Sequence, residues 1–120
     1  MASGADFRFY REQYLGTALE EAEFPEAAAR AADVLAEFKG AYRVTGDGQA
    51  EAMAICAMAE AIAYFDAAQN GQGGLRYAKV GSVSVSGKGI YSQVDISPSA
   101  QRRELYRAAG RYLEICRAAK

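Results

Sequence analysis

The stretch from Gln49 to Ala68 limits this chain most strongly. A helix built from it is apolar on nearly every side, with Met53, Ile55, Ala57, Met58, Ala61, Ile62, Tyr64 and Phe65 spread around the axis. A helix without a polar face belongs at the centre of a fold, contacted from several directions. Its alanines let neighbouring helices approach closely. The apolar run Ala52 to Phe65 contains Glu60 and is too short to cross a bilayer, so the expectation is a core helix and no transmembrane segment.

The remaining segments supply the neighbours that such a helix needs. From Phe24 the apolar series Phe24, Ala28, Ala31, Leu35, Phe38 steps by helical intervals, while Glu26, Arg30, Asp33 and Glu37 fall on the other side. This amphipathic helix stops near Gly40. Thr17 and Glu20 have capping-box spacing, yet Pro25 favours a start several residues later, because proline is tolerated chiefly in a first turn. Residues 7–16 are rich in aromatics and end at Gly16, as suits a short helix or arm packed on the rest. Gly46-Asp47-Gly48 and Asn70-Gly71-Gln72-Gly73-Gly74 punctuate the chain on either side of the central helix.

Residues 77–96 change character. Val80, Val83, Val85, Ile90, Tyr91, Val94 and Ile96 alternate with polar residues, which predicts two short strands joined across Ser86-Gly87-Lys88-Gly89. A bulge near Gly81 accounts for the slip in phase between Val80 and Val83. Ser97-Pro98 then opens a last helix running to about Ala118, with Leu105, Ala109, Tyr112 and Cys116 as its inner stripe. The fold class expected is mostly α. It is a small bundle of three to four helices with a β-hairpin or extended loop before the C-terminal helix, forming one domain over 1–120 with an N-terminal arm at 1–16. A length of 120 residues, half of them apolar and a quarter charged, suits one folded domain.

Charge is balanced overall at −1 but unevenly placed. Residues 1–37 carry 3 basic against 8 acidic side chains, and residues 98–120 carry 6 against 2. The net value gives no general attraction to nucleic acid or anionic membrane, but an acidic front and a basic tail attract each other within a chain or between copies. Arg103, Arg107 and Arg111 fall at i, i+4 and i+8 on the last helix, with Arg102 and Arg117 nearby and Glu104 and Glu114 at i+3 spacings. This stripe reads as a solvated face, as a docking surface for an acidic neighbour, or as the lining of a nucleic-acid channel. Docking ranks ahead of the channel because no aromatic residues interleave the arginines.

Catalytic chemistry finds little to work with. Histidine is absent, which removes the commonest general acid/base and metal ligand. Cys56 and Cys116 are far apart in apolar helical surroundings, which predicts free, buried thiols in a reducing compartment. Glu20, Glu21 and Glu23 form a tight carboxylate cluster, best read as a solvated helix start rather than a metal site. The glycine-rich Asn70–Gly74 segment lacks the Gly-Lys-Ser/Thr ending of a phosphate loop and follows a helix, so it reads as a linker. Lys88 sits on the tip of a turn. No enzyme activity, metal or cofactor is expected.

Taken in order, several short pieces resemble the head-tail connector (adaptor, head-completion) proteins of long-tailed bacteriophages. They are Tyr10-x3-Tyr14-x-Gly16, then Glu20-Glu21-Ala22-Glu23-Phe24 with Arg30-Ala31, then the apolar Ala54-Ile55-Cys56-Ala57-Met58-Ala59-Glu60. The most telling is Lys79-Val80-Gly81-Ser82-Val83-Ser84-Val85-Ser86, similar to the family's Val-Gly-Asp/Ser-x-Ser-Val-Ser stretch. Tyr106 and Tyr112-Leu113 resemble its closing helix, although Glu114-Ile115-Cys116 stands where the family often has Thr-Gly.

The resemblance implies a non-enzymatic virion protein, assembled in the host cytoplasm. It would form a homo-oligomeric ring below the portal that continues the DNA channel, with DNA as passenger only. It would meet the portal and tail-side connector proteins, and no membrane. Residues expected at its contacts are Val80, Val83, Val85, Lys88 and Tyr91 of the β segment and Arg103, Arg107 and Arg111 of the last helix. Tyr10 and Tyr14 are also expected at its contacts, where with Phe9 they would anchor the N-terminal arm. The competing reading is a small helical protein-interaction or regulatory domain that binds a cellular protein through its apolar helices.

Overall fold

The computed structural model describes residues 5–69 and 97–116. In chain order these form α1 (Phe7–Glu12), α2 (Phe24–Ala41), β1 (Arg43–Thr45), α3 (Gly48–Gln69), α4 (Pro98–Gly110) and β2 (Glu114–Cys116). The fold is mostly helical, a small helical domain with one short two-stranded sheet among the described residues. The segment expected to be β, with Val80, Val83, Val85, Lys88 and Tyr91, lies outside the described residues, as does the Asn70–Gly74 linker.

Helix α3 is the centre. Every residue from Ala54 to Ile62 is buried, which follows from its lack of a polar face. Asp47 starts it, with Oδ1 accepting the Ala50 N–H at 2.8 Å. Helix α2 buries the expected apolar series Phe24, Ala28, Ala31, Leu35 and Phe38, and Ala27 besides. Two ion pairs join the outer edges of α2 and α3, Arg30 to Asp66 at 2.6 Å and Lys39 to Glu51 at 3.0 Å. The early part of α2 thus meets the late part of α3 and vice versa, so the two run antiparallel. These half-exposed pairs contribute little beside the buried apolar face. Among the described residues no helix is long and apolar enough to cross a membrane.

The start of α2 follows from a distant side chain. The N–H groups of Ala18 and Leu19 both donate to the Tyr10 hydroxyl, which holds that backbone out of a helix and leaves the Thr17/Glu20 capping box unused. The chain instead turns through Glu20–Glu23, where the Glu20 N–H donates to Glu23 Oε1 at 2.9 Å, and enters α2 at Phe24 with Pro25 in the first turn.

Helix α4 begins as expected, with the Ser97 Oγ accepting from the Ala100 N–H and Pro98 following. It packs Ala100, Leu105, Ala108 and Ala109 inward. Its end corrects the sequence reading, because the helix stops at Gly110 rather than near Ala118. The chain turns through Arg111–Leu113, and Glu114–Cys116 pairs antiparallel with β1 in the register Arg43↔Cys116, Val44↔Ile115, Thr45↔Glu114. Glycine weakens the helix at that point, and strand pairing supplies backbone partners while half-burying Val44 against Ile115. Leu113 is buried beside Gly46, where a Cβ would strike its side chain. Cys116 consequently leaves the expected inner stripe and is an exposed thiol, whereas Cys56 is buried.

Candidate functional site

Two arrangements stand out, one buried and one at the surface. The buried one centres on Glu60, a carboxylate in the middle of α3 that is 6% exposed. Tyr10 donates its hydroxyl to Glu60 Oε2 at 2.7 Å, and Tyr14 donates to Oε1 at 3.4 Å. The Tyr10 oxygen accepts the Ala18 and Leu19 N–H groups at 2.9 Å each. Its one proton and its lone pairs are therefore all engaged. The Tyr10 ring stacks 5.0 Å from Phe24 and 5.8 Å from Tyr14, and it leaves no room for a side chain at Gly16.

Backbone geometry holds the same segment. The N–H of Gly16 returns to the Tyr10 carbonyl at 2.9 Å, with Leu15 between in the left-handed region at φ 63°.

Burial and mutual hydrogen bonding shift the titration of this cluster. Burial raises the Glu60 pKa above the usual carboxylate range, opposed by the Tyr10 and Tyr14 hydrogen bonds and by the charge of Arg111. Burial, and then the Glu60 carboxylate, pushes both tyrosines well above their ordinary value. Cys56, one turn before Glu60, is pushed up to about 12, chiefly by burial, so it is a thiol and no nucleophile at neutral pH. In the sequence Glu60 stands as an interruption of an apolar run and as the last residue of the Ala54–Glu60 stretch, with no partner indicated. The available signal was that a lone ionisable residue on an otherwise apolar central helix must find hydrogen-bond partners.

The surface arrangement lies where α4 crosses the end of α2. Phe38, Tyr42 and Tyr106 pack together, with ring centroids 5.4–6.1 Å apart, and Ser99, Arg102 and Arg103 complete an open groove of about 390 Å³. Phe38 is buried at its floor. Arg102 lies 5.1 Å over the Phe38 ring and bridges to Glu37 at 2.8 Å. Arg103 is exposed and makes no ion pair among the described residues. The groove therefore offers apolar contact next to an available positive charge.

The predicted arginine stripe divides among three environments. Arg103 lines the groove, Arg107 pairs with Glu104 at 2.7 Å, and Arg111 closes α4 with its guanidinium 5.9 Å from the Tyr112 ring. Tyr10 is fully buried, so its contacts are internal rather than with a partner, while Tyr14 is half-buried beside Tyr112 at 6.2 Å. Among the described residues no three Cys, Asp or Glu side chains converge in a way suited to a metal ion, the Glu20–Glu23 turn included. Comparison with family models, curated proteins and solved structures finds no match.

Proposed function

We propose that this chain is a non-enzymatic virion structural protein, a subunit of the ring-shaped connector that sits below a phage portal and continues the DNA channel toward the tail. One observation carries the reading. Two separate pieces of the sequence resemblance, Tyr10-x3-Tyr14-x-Gly16 and the Ala54–Glu60 run, meet in a single buried cluster, with both tyrosines on Glu60 and Gly16 against the Tyr10 ring. A likeness of composition alone would not require these pieces to be in contact.

The reading also suits where the accessible chemistry lies. The ionisable groups gathered inside the protein serve to hold the N-terminal segment on α3, and the exposed groove presents apolar and cationic surface suited to a protein contact. In the proposed ring, neighbouring copies, the portal and tail-side proteins are the partners, and DNA passes through without sequence recognition.

Incubation of the purified chain with a portal, followed by sedimentation and electron microscopy, tests this. Portal-bound rings are the expected result. Absence of portal binding together with tight binding to a soluble host protein would instead support a small helical interaction or regulatory domain.

A further inference from the structure

Among the described residues, the hydrogen bonds that join residues 6–19 to the rest of the chain both end on one carboxylate. They run from Tyr10 to Glu60 Oε2 and from Tyr14 to Glu60 Oε1. The segment's other described hydrogen bonds are internal. Asp6 Oδ1 accepts the Phe9 N–H, the Gly16 N–H returns to the Tyr10 carbonyl, and the Tyr10 hydroxyl oxygen takes the N–H groups of Ala18 and Leu19. Residues 6–19 are therefore a self-contained arm with one polar fastening. Its seat is incompletely filled, since a cleft of about 270 Å³ opens between Phe7 at its start and Pro25, Ala28 and Ala32 of α2.

The fastening changes with one proton. The Tyr10 oxygen already accepts two N–H groups, so it can only donate to Oε2, and a proton on Glu60 sits on Oε1, facing the Tyr14 oxygen. With Glu60 neutral, Oε1 donates to Tyr14 and no charge is buried. With Glu60 ionised, Tyr14 becomes the donor and a carboxylate 6% exposed lies under the arm. Burial outweighs the two phenol bonds and the attraction of Arg111. Water reaches Glu60 most readily from the arm side, because α2 and α4 pack along the rest of α3. The other groups facing the site are Cys56 on α3, pushed up to about 12, and the two tyrosines, held well above their ordinary value. Asp6 on the arm acts on Cys56, the α4–β2 turn contributes Arg111 and Tyr112, and α2 contributes Phe24, which does not titrate.

We propose that residues 6–19 are a proton-operated arm, fastened on α3 while Glu60 is neutral and lifted more often, at the Glu20–Glu23 turn, once Glu60 is ionised. Tyr10 and Leu19 are buried, so the lifted form is a minor population whose size the proton sets. With the arm lifted, Glu60 has its ordinary value of 4.5, and with the arm seated it is raised. The lifted fraction is constant below the first value, rises by up to about tenfold per pH unit between the two, and levels off above the second. This device is independent of the connector reading.

Nuclear magnetic resonance of the full chain from about pH 4 to pH 8 tests it. The Glu60 carboxyl carbon is expected to titrate above 4.5, with the Tyr14 phenol carbon moving at the same midpoint and farther than that of Tyr10. Exchange of the Ala18 and Leu19 amides, corrected for its intrinsic pH dependence, is expected to quicken by up to about tenfold per pH unit until that midpoint is reached. It is also expected to stay unmoved by dilute urea, unlike exchange of the Ala54–Ile62 amides of α3. Glu60→Gln offers a carbonyl to Tyr10 and an amide N–H to Tyr14, so it copies the neutral form and should keep both amides slow at every pH. Asp6→Asn removes the arm's own charge near the site, keeps the cap acceptor, and should leave the pH dependence in place.

A Glu60 midpoint at or below 4.5 overturns the proposal without need of a variant. So does exchange of Ala18 and Leu19 that follows the α3 amides in rate and urea response, which would mean that the arm opens only with the whole fold. A pH dependence that persists in Glu60→Gln, or disappears in Asp6→Asn, would move the proton to another group and overturn it as well.

Discussion

Tyr10 donates a 2.7 Å hydrogen bond to the buried Glu60 through the same oxygen that accepts two backbone N–H groups from Ala18 and Leu19. One phenol thereby ties α1, the loop after it and the central helix together. The arrangement also explains why α2 cannot begin until the chain has passed Leu19. Its weight in the fold can be measured.

Tyr10→Phe removes the donor to Glu60 and strands two N–H groups. Leaving buried polar groups unpaired costs about 1–3 kcal/mol each, so a loss of roughly 2–4 kcal/mol is expected after partial relaxation. Glu60→Gln keeps a carbonyl acceptor for Tyr10 and is expected to cost less. Urea unfolding of both variants and of the double variant checks the link. A coupling of at least about 0.5 kcal/mol is expected, and simple additivity would mean that the hydrogen bond contributes nothing.

Stability is expected to fall as pH rises through the mildly acidic range. Burial raises the Glu60 pKa in the folded state above its ordinary value of 4.5, so the folded chain holds this proton more tightly than the unfolded chain. The contribution is fully present below the unfolded value and is lost as pH rises through the folded one. Thermal unfolding from about pH 4 to pH 8 should show a downward slope that Glu60→Gln removes. Identical pH profiles for the two proteins would rule out this linkage.

Gly16→Ala drives a methyl group into the Tyr10 ring, which has Phe24 and Tyr14 stacked around it. A loss of about 1–3 kcal/mol is expected from overpacking. Gly40→Ala, near the end of α2 with open space around it, is the contrast, with a gain of about 0.5 kcal/mol from helix propensity. Equal effects at the two positions in chemical denaturation would contradict the close approach at Gly16.

The two thiols should differ sharply in reactivity. Cys116 is exposed on β2, and Cys56 is buried with its pKa pushed up to about 12. A chromogenic disulfide reagent at pH 8 is expected to titrate one thiol in the folded protein and two in denaturant. Rapid modification of both under native conditions would place α3 nearer the surface than the fold has it.

Much of the helical framework was legible before any coordinates, because helices advertise themselves locally. The Phe24-to-Phe38 series, the all-round apolar character of α3 and the Ser97-Pro98 start each depend on residues within a few turns of one another. The expected inner stripe of α4 held through Leu105 and Ala109 and failed at Cys116. A helical spacing of apolar residues can continue past the point where the helix ends, and it did so beyond Gly110.

What the sequence by itself determined is therefore the mostly helical class, the central helix, the buried face of α2 and the start of α4. Only tertiary structure decided that Glu114–Cys116 is a strand, that Glu60 is the anchor for Tyr10 and Tyr14, and that Leu15 is held outward at positive φ. The physical reason is separation along the chain. Strands of three residues carry no readable period, and β2 exists only because β1 lies beside it. A carboxylate on α3 and a phenol on α1 acquire their roles only when packing removes water from both.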